Sequence, residues 1–372
     1  MTLLHHGGCL RDVAEKYGID ESDWLDLSTG VSPWHYPVPD VPPSCWNRLP
    51  EEEDGLIPAA DRYYGGHNAL PVAGSQAAIQ CLPQVLADMR EGPGRVLLPK
   101  VGYKEHERAW RLRGWQIEYY GNNCEHGECK KGHTGENGGV NTCESNDVRV
   151  PESDQRPTPK QIDRCDVLLV INPNNPAAGL IPAAQLKVWL EVLSEKGGFL
   201  VVDEAFMDMT PDASLNSVVS PNLVILRSIG KFFGLAGIRA GFVFASQRVR
   251  LAMLERLGPW CLNGPARFVC TRAFTDIEWQ QMQINRLNQS SERLCQLLSS
   301  LEAPVVGTSL FQCVHLSKAP LWHERLCQHG ILTRLTDERD ALRFGLPADE
   351  KQWVRLTDVL QTVLAEIKFE QA

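Results

Sequence analysis

The sequence predicts an α/β fold, with a mostly parallel central sheet, helices on both faces, and a smaller α+β C-terminal domain. Three observations carry this expectation. Between about residues 70 and 245, short apolar runs alternate with longer helical stretches, the pattern of parallel strands joined by crossover helices. Beyond about residue 246 the chain turns mainly helical, with a few short late strands. With 372 residues, 43% hydrophobic and 22% charged, it has the composition of a globular protein and length for roughly two domains.

Residues 1–45, rich in Pro, Trp and His, show little periodicity and are expected to form an extended arm. The large domain is expected over 46–245, with strands at 95–99, 116–120, 166–171, 198–203, 223–227 and 241–245 and helices at 75–89, 104–113 and 183–196. The small domain is expected over 246–372: helical from 247 to about 301, strands at 311–316, 331–334 and 341–344, and a last helix from about 349 to 368. One stretch breaks the pattern. Residues 121–160 are rich in Gly, Asn, Glu and Ser and nearly free of large apolar side chains, so they read as a polar surface insertion. It carries Cys124, His126, Cys129, His133 and Cys143, soft ligands whose spacing matches no common zinc module. No metal site is expected from them.

The net charge of −9 gives nucleic-acid binding no electrostatic support. No apolar run approaches the roughly 20 residues that span a bilayer. The start lacks the basic-then-apolar order of a signal peptide, and the twelve cysteines are scattered, as reduced thiols of a cytoplasmic enzyme would be.

The chemistry concentrates around Ser228-Ile229-Gly230-Lys231, with Arg239 eight residues further on. Lys231 suits a Schiff base to an aldehyde cofactor, and Ser228 and Arg239 suit its phosphate. Asp203 ends the apolar run Phe199-Leu200-Val201-Val202, where open α/β sheets build their sites. A carboxylate there can keep a pyridine nitrogen protonated. Asn175, in Asn172-Pro173-Asn174-Asn175-Pro176, can donate to a phenolic oxygen. Gly74-Ser75-Gln76 opens a helical run whose N-terminal N–H groups suit a phosphate. Tyr103 can stack on a cofactor ring, and His106, one turn later, can reach Asp203. Such a set is what pyridoxal phosphate requires. Arg343 and Arg334, on late strands, are candidates for anionic substrate groups.

With Asn174-Asn175-Pro176, Asp203-Glu204-Ala205-Phe206, Ser228-x-x-Lys231 and Arg239, the chain resembles the fold-type I pyridoxal phosphate enzymes of the class I/II aminotransferase superfamily. The resemblance spans nearly everything except 121–160. It implies a homodimer with composite active sites, in which Tyr64 reaches the neighbouring subunit's cofactor phosphate. Phe206 stands where many relatives carry a tyrosine, and Asn175-Pro176-Ala177-Ala178-Gly179 alters the family's turn. The stretches His6-Gly7-Gly8, Trp24 to Pro33 and Leu70 to Ala77 resemble the cobalamin-pathway members, the threonine-phosphate decarboxylases. That implies removal of CO₂ from L-threonine O-3-phosphate to give (R)-1-amino-2-propanol phosphate. His6, Gly7, Gly8 and Ser32 are then expected at the substrate phosphate and Arg343 at its carboxylate, with Arg334 and Arg343 open to exchange. An aminotransferase, on histidinol phosphate for example, is the alternative on the same scaffold.

Overall fold

The protein is described by a computed structural model over residues 7–121 and 156–370. His6, and Cys124, His126, Cys129, His133 and Cys143, lie outside the described residues. The elements are α1 (Leu10–Tyr17), β1 (Leu25–Asp26), α2 (Ser44–Asn47), α3 (Leu56–Tyr64), β2 (Leu70–Val72), α4 (Ser75–Met89), β3 (Arg95–Pro99), α5 (Lys104–Leu112) and β4 (Gln116–Tyr120). Then come α6 (Pro159–Arg164), β5 (Val167–Ile171), α7 (Ala183–Glu195), β6 (Phe199–Asp203), β7 (Leu223–Ser228), β8 (Gly241–Ala245), α8 (Gln247–Leu257), α9 (Gly264–Thr275) and α10 (Ile277–Ser299). The chain ends with β9 (Val305–Thr308), β10 (Phe311–His315), α11 (Ala319–Gln328), β11 (Ile331–Leu332), β12 (Arg334–Leu335), β13 (Ala341–Gly345) and α12 (Glu350–Phe369).

The central sheet has seven strands in the order β2-β8-β7-β6-β5-β3-β4. Only β8 runs against its neighbours, being antiparallel to both β2 and β7. The continuous apolar runs of β5 and β6 are explained by burial on both faces. Val167 and Leu169 pack with α4, α5 and α8, while Leu168 and Val170 pack with α7 and α9 on the other side. A second, antiparallel sheet has the order β12-β13-β10-β9. Helix α8 lies on the large sheet, through Val249 and Met253, although it follows residue 245.

The first 45 residues are more ordered than an extended arm. Helix α1 buries Ala14 against Trp24, Cys327 and Leu332, and β1 pairs in parallel with β11, Leu25 opposite Ile331. The expected single strand 331–334 is two strands. Thr333 separates β11, which pairs with the arm, from β12, which pairs with β13.

Candidate active site

The site forms at the C-terminal ends of β5, β6 and β7, where a parallel sheet leaves its crevice. Asp203 is the last residue of β6 and 4% exposed. Its Oδ2 lies 2.8 Å from His106 Nε2, and its Oδ1 accepts from the Ala205 N–H at 3.0 Å. His106 is reached because α5 begins beside the strand ends, with Tyr103 at its N-cap. The Tyr103 ring meets the His106 ring edge-on at 6.2 Å. Burial first, then the Glu105 and Asp203 charges, pushes the Tyr103 phenol up to about 12. The Tyr103 hydroxyl donates to Gln76 Oε1 at 3.3 Å, and the Gln76 amide donates to Glu105 at 2.7 Å. Gln76's side chain thus ties α4 to α5, and what it offers an anion is its backbone N–H.

Helix α4 has no side-chain cap, so its leading N–H groups face the crevice with their positive dipole end. Gly74 adopts φ 73° and ψ 157°, and a Cβ there would lie 2.8 Å from Arg239 Nη2. A Cβ at Gly241 would lie 2.5 Å from Ser75 N. These glycines let the backbone close around a cup formed by the α4 N-terminus, the Arg239 guanidinium and Ser228, the last residue of β7.

Lys231 lies 5.5 Å from the centre of the Phe206 ring. Its carbonyl accepts from the Ser32 N–H at 3.0 Å. Burial, reinforced by the Arg343 and Arg239 cations and opposed by Asp203, lowers the Lys231 amine to about 8. The neutral form, which attack on an aldehyde needs, is therefore far easier to reach than for an ordinary lysine. Phe206 packs edge-on against Phe311 at 5.3 Å. Gly30 crosses both rings, and a Cβ there would sit 3.0 Å from Phe206 Cε1.

On the second sheet, Arg334 and Arg343 stand directly opposite each other on β12 and β13. Directly opposed residues share one face of a sheet, and like charges there repel unless an anion lies between them. Arg334 donates to Asp337 at 2.9 Å. Arg343 donates to Asn175 Oδ1 at 2.5 Å and to the Ser28 carbonyl. Its guanidinium is lowered to about 10, chiefly by burial. Because the Asn175 oxygen is engaged, its amide nitrogen is the atom left to donate to a ring oxygen. The arm closes this corner: the Gly8 N–H donates to Ser28 Oγ at 2.9 Å, and a Cβ at Gly7 would lie 2.4 Å from the Ser28 oxygen.

The residues present fit pyridoxal 5′-phosphate. An anion cup lies at one end, Asp203 is placed for the ring nitrogen, Asn175 has a nitrogen donor, and Lys231 has a low-pKa amine.

Two expected residues sit elsewhere. Ser32 Oγ donates to the Trp34 carbonyl at 2.9 Å and accepts from Gln283 Nε2 at 2.7 Å. Its hydroxyl builds the arm's turn and does not face a ligand. Tyr64 is 5% exposed and enclosed by Phe242, Phe244 and Phe274, with the Arg227 guanidinium 4.4 Å from its ring centre. Its side chain is enclosed by residues of its own chain. Ser28 was not anticipated: it acts on Arg343 through its carbonyl, which every residue has. Among the described residues no three or more His, Cys, Asp or Glu side chains are grouped to hold a metal.

Residues 62–357 match the family model described as aminotransferase class I and II. The chain belongs to that family. Its cofactor is pyridoxal 5′-phosphate. The chain is 42% identical, over 96% of its length and 97% of the relative's, to a threonine-phosphate decarboxylase of Pseudomonas aeruginosa. It is 33% identical to another from a Sinorhizobium species, over 95% of this chain and 97% of that one. Among solved structures, a histidinol-phosphate aminotransferase from Sinorhizobium meliloti in complex with pyridoxal-5′-phosphate superposes with a TM-score of 0.78. It covers 98% of this chain and 96% of that one at 17% identity, a likeness of fold.

Proposed function

We propose that this protein is a lyase that decarboxylates L-threonine O-3-phosphate to (R)-1-amino-2-propanol phosphate, a step of cobalamin synthesis, as a cytoplasmic homodimer. The observation that carries the reading is similarity to threonine-phosphate decarboxylases along nearly the whole chain, arm included, at 42% and 33% identity over 96% and 95% of it, where matches to histidinol-phosphate aminotransferases span 33–49% of it. The opposed Arg334 and Arg343 support it, because a substrate with a carboxylate and a phosphate brings two anionic groups to one face.

Pyridoxal phosphate, when bound, supplies an electron sink at the substrate α-carbon. Asp203, oriented by His106 at 2.8 Å, holds a proton on the ring nitrogen. Asn175 donates to the ring oxygen, and Ser228, Arg239 and the α4 N-terminus bind the cofactor phosphate. Arg343 holds the substrate carboxylate and Arg334 the substrate phosphate, with Gly7 and Gly8 of the arm covering that corner. Holding these anions selects which α-carbon bond breaks. Phe206 and Phe311 exclude water beside the amine. Lys231 then delivers a proton to the α-carbon from which CO₂ has left.

The test is turnover of L-threonine O-3-phosphate with no keto acid present, beside a separate assay with histidinol phosphate and 2-oxoglutarate. CO₂ release from L-threonine O-3-phosphate is expected, with no glutamate formed from histidinol phosphate and 2-oxoglutarate. Glutamate formation without CO₂ would replace this reading with the aminotransferase.

A further inference from the structure

Behind the strands that carry Asp203 and Ser228 lies a buried ionic cluster, built on Arg227 of β7 and on Glu204, which continues the β6–β7 ladder through its N–H to the Leu226 carbonyl at 2.8 Å. Successive residues of a strand point to opposite sides. Asp203 and Ser228 face the cofactor, and the adjacent Glu204 and Arg227 therefore face away from it. Arg227 Nη1 donates to Glu204 Oε2 at 2.8 Å, and its Nη2 lies 3.6 Å from Asp208 Oδ1. Asp208 belongs to the turn that begins just after Phe206, and it accepts from the Tyr63 hydroxyl at 3.0 Å. Glu204 also accepts from Ser214 Oγ at 2.5 Å and from the Leu215 N–H at 3.1 Å. The cluster therefore ties together β6, β7, the Phe206 turn and α3.

Its energetics argue against a role in stability alone. Two carboxylates and one guanidinium are taken out of water, and Glu204 and Arg227 are 0% and 2% exposed. Four buried polar atoms here, Arg227 Nε, Asp208 Oδ2, Tyr64 Oη and Asn216 Oδ1, have no hydrogen-bond partner among the described residues. Burial and the neighbouring Glu204 charge raise the Asp208 carboxyl despite the guanidinium. An apolar or amide cluster of similar volume is often as stable as such an arrangement. What charged, directional contacts add is a fixed position.

We propose that Arg227, Glu204 and Asp208 are positioning residues for the cofactor: from the back of the sheet they set the spacing of the Asp203 carboxylate, the Ser228 hydroxyl and the Phe206 ring. None of the three touches the cofactor. Glu204 and Arg227 act through their chain neighbours Asp203 and Ser228, and Asp208 acts through the Phe206 turn.

The inference rests on the cofactor reading, and the experiment separates the two. The charge-free variant Glu204→Gln/Asp208→Asn/Arg227→Met and the parent are each stripped of cofactor and titrated with pyridoxal phosphate. Affinity, the visible band and its pH midpoint are read beside the melting temperature. The expected result is melting within a few degrees of the parent, with affinity at least tenfold weaker and the midpoint displaced by more than half a pH unit. Rescue is expected from Arg227→Lys, which keeps the charge and should recover part of the affinity. Should the triple variant fail to fold, Glu204→Gln alone is read in the same way, well below its melting temperature. Variants that fold and bind the cofactor with parental affinity, band and midpoint overturn the proposal. A parent that takes up no cofactor would overturn the cofactor reading instead.

Discussion

Replacing Gly74 by alanine tests the cofactor cup where its geometry is tightest. Two costs follow from the structure. Gly74 sits at φ 73° and ψ 157°, a region that side chains rarely enter, so the backbone loses about 1–3 kcal/mol. The new Cβ would stand 2.8 Å from Arg239 Nη2, so the guanidinium must retreat by about 0.6 Å to reach ordinary contact at 3.4 Å. The head of a long side chain can do this, and it moves away from the phosphate as it does. A charge-assisted hydrogen bond contributes about 1.5–3 kcal/mol. Losing it weakens cofactor binding by roughly 10- to 150-fold at 1.4 kcal/mol per tenfold. The assay is titration of cofactor-free protein with pyridoxal phosphate, followed by absorbance, beside a melting curve. A fall in melting temperature with affinity unchanged within twofold would refute the placement of Arg239 at the phosphate.

Further outcomes are expected at Lys231, Ser32 and Tyr64. The rate at which cofactor-free protein captures pyridoxal phosphate should rise with pH and level off above about 8, where the Lys231 amine is neutral. Arg343→Met removes a cation that lowers this amine, so the midpoint should move up; a midpoint that stays or falls contradicts the electrostatics. The same depression means that the unfolded chain binds more protons than the folded one between about 8 and 10.5, so the stability of cofactor-free protein gains from this group as pH rises through that window. Ser32→Ala should cost about 1–3 kcal/mol in denaturant unfolding, because it removes the hydroxyl's hydrogen bonds to Trp34 and Gln283 at about 0.5–1.5 kcal/mol each, while the Gln283 amide keeps the Trp34 and Phe232 carbonyls; its substrate KM should stay within twofold, and a tenfold rise would return Ser32 to the ligand. Tyr64→Phe removes a buried hydroxyl with no partner among the described residues. Stability should hold or rise by up to about 1 kcal/mol, with cofactor affinity unchanged; a large affinity loss would put Tyr64 back at the phosphate.

The residues legible in the sequence are those whose place is set locally. Asp203 ends an apolar run, and Ser228 follows one as the first residue of Ser-x-x-Lys, so strand pattern and motif together put them at the mouth of the sheet. His106 follows Tyr103 by three residues, and one helical turn carries it back to Asp203. What failed depended on distant chain. The resemblance places Tyr64 at a subunit boundary, and the rings of Phe242, Phe244 and Phe274, about 180–210 residues away, enclose it. The run 331–334 reads as one strand, but Ile331 has its partner at Leu25 and Arg334 has its partner at Arg343, so two sheets divide it. Helix α1 did carry a short amphipathic signal, with Leu10, Val13, Ala14 and Tyr17 on one side, within a Pro- and Trp-rich stretch that reads as arm. Ser28 left no trace because it serves Arg343 through a backbone carbonyl.

The most direct measurement follows the carboxyl carbon. Protein loaded with pyridoxal phosphate is given L-threonine O-3-phosphate labelled at C1, with 2-oxoglutarate added. The account predicts label in CO₂, with one equivalent of unlabelled aminopropanol phosphate and no glutamate. Label retained in a phosphorylated 2-oxo acid, with glutamate formed in step, would contradict it.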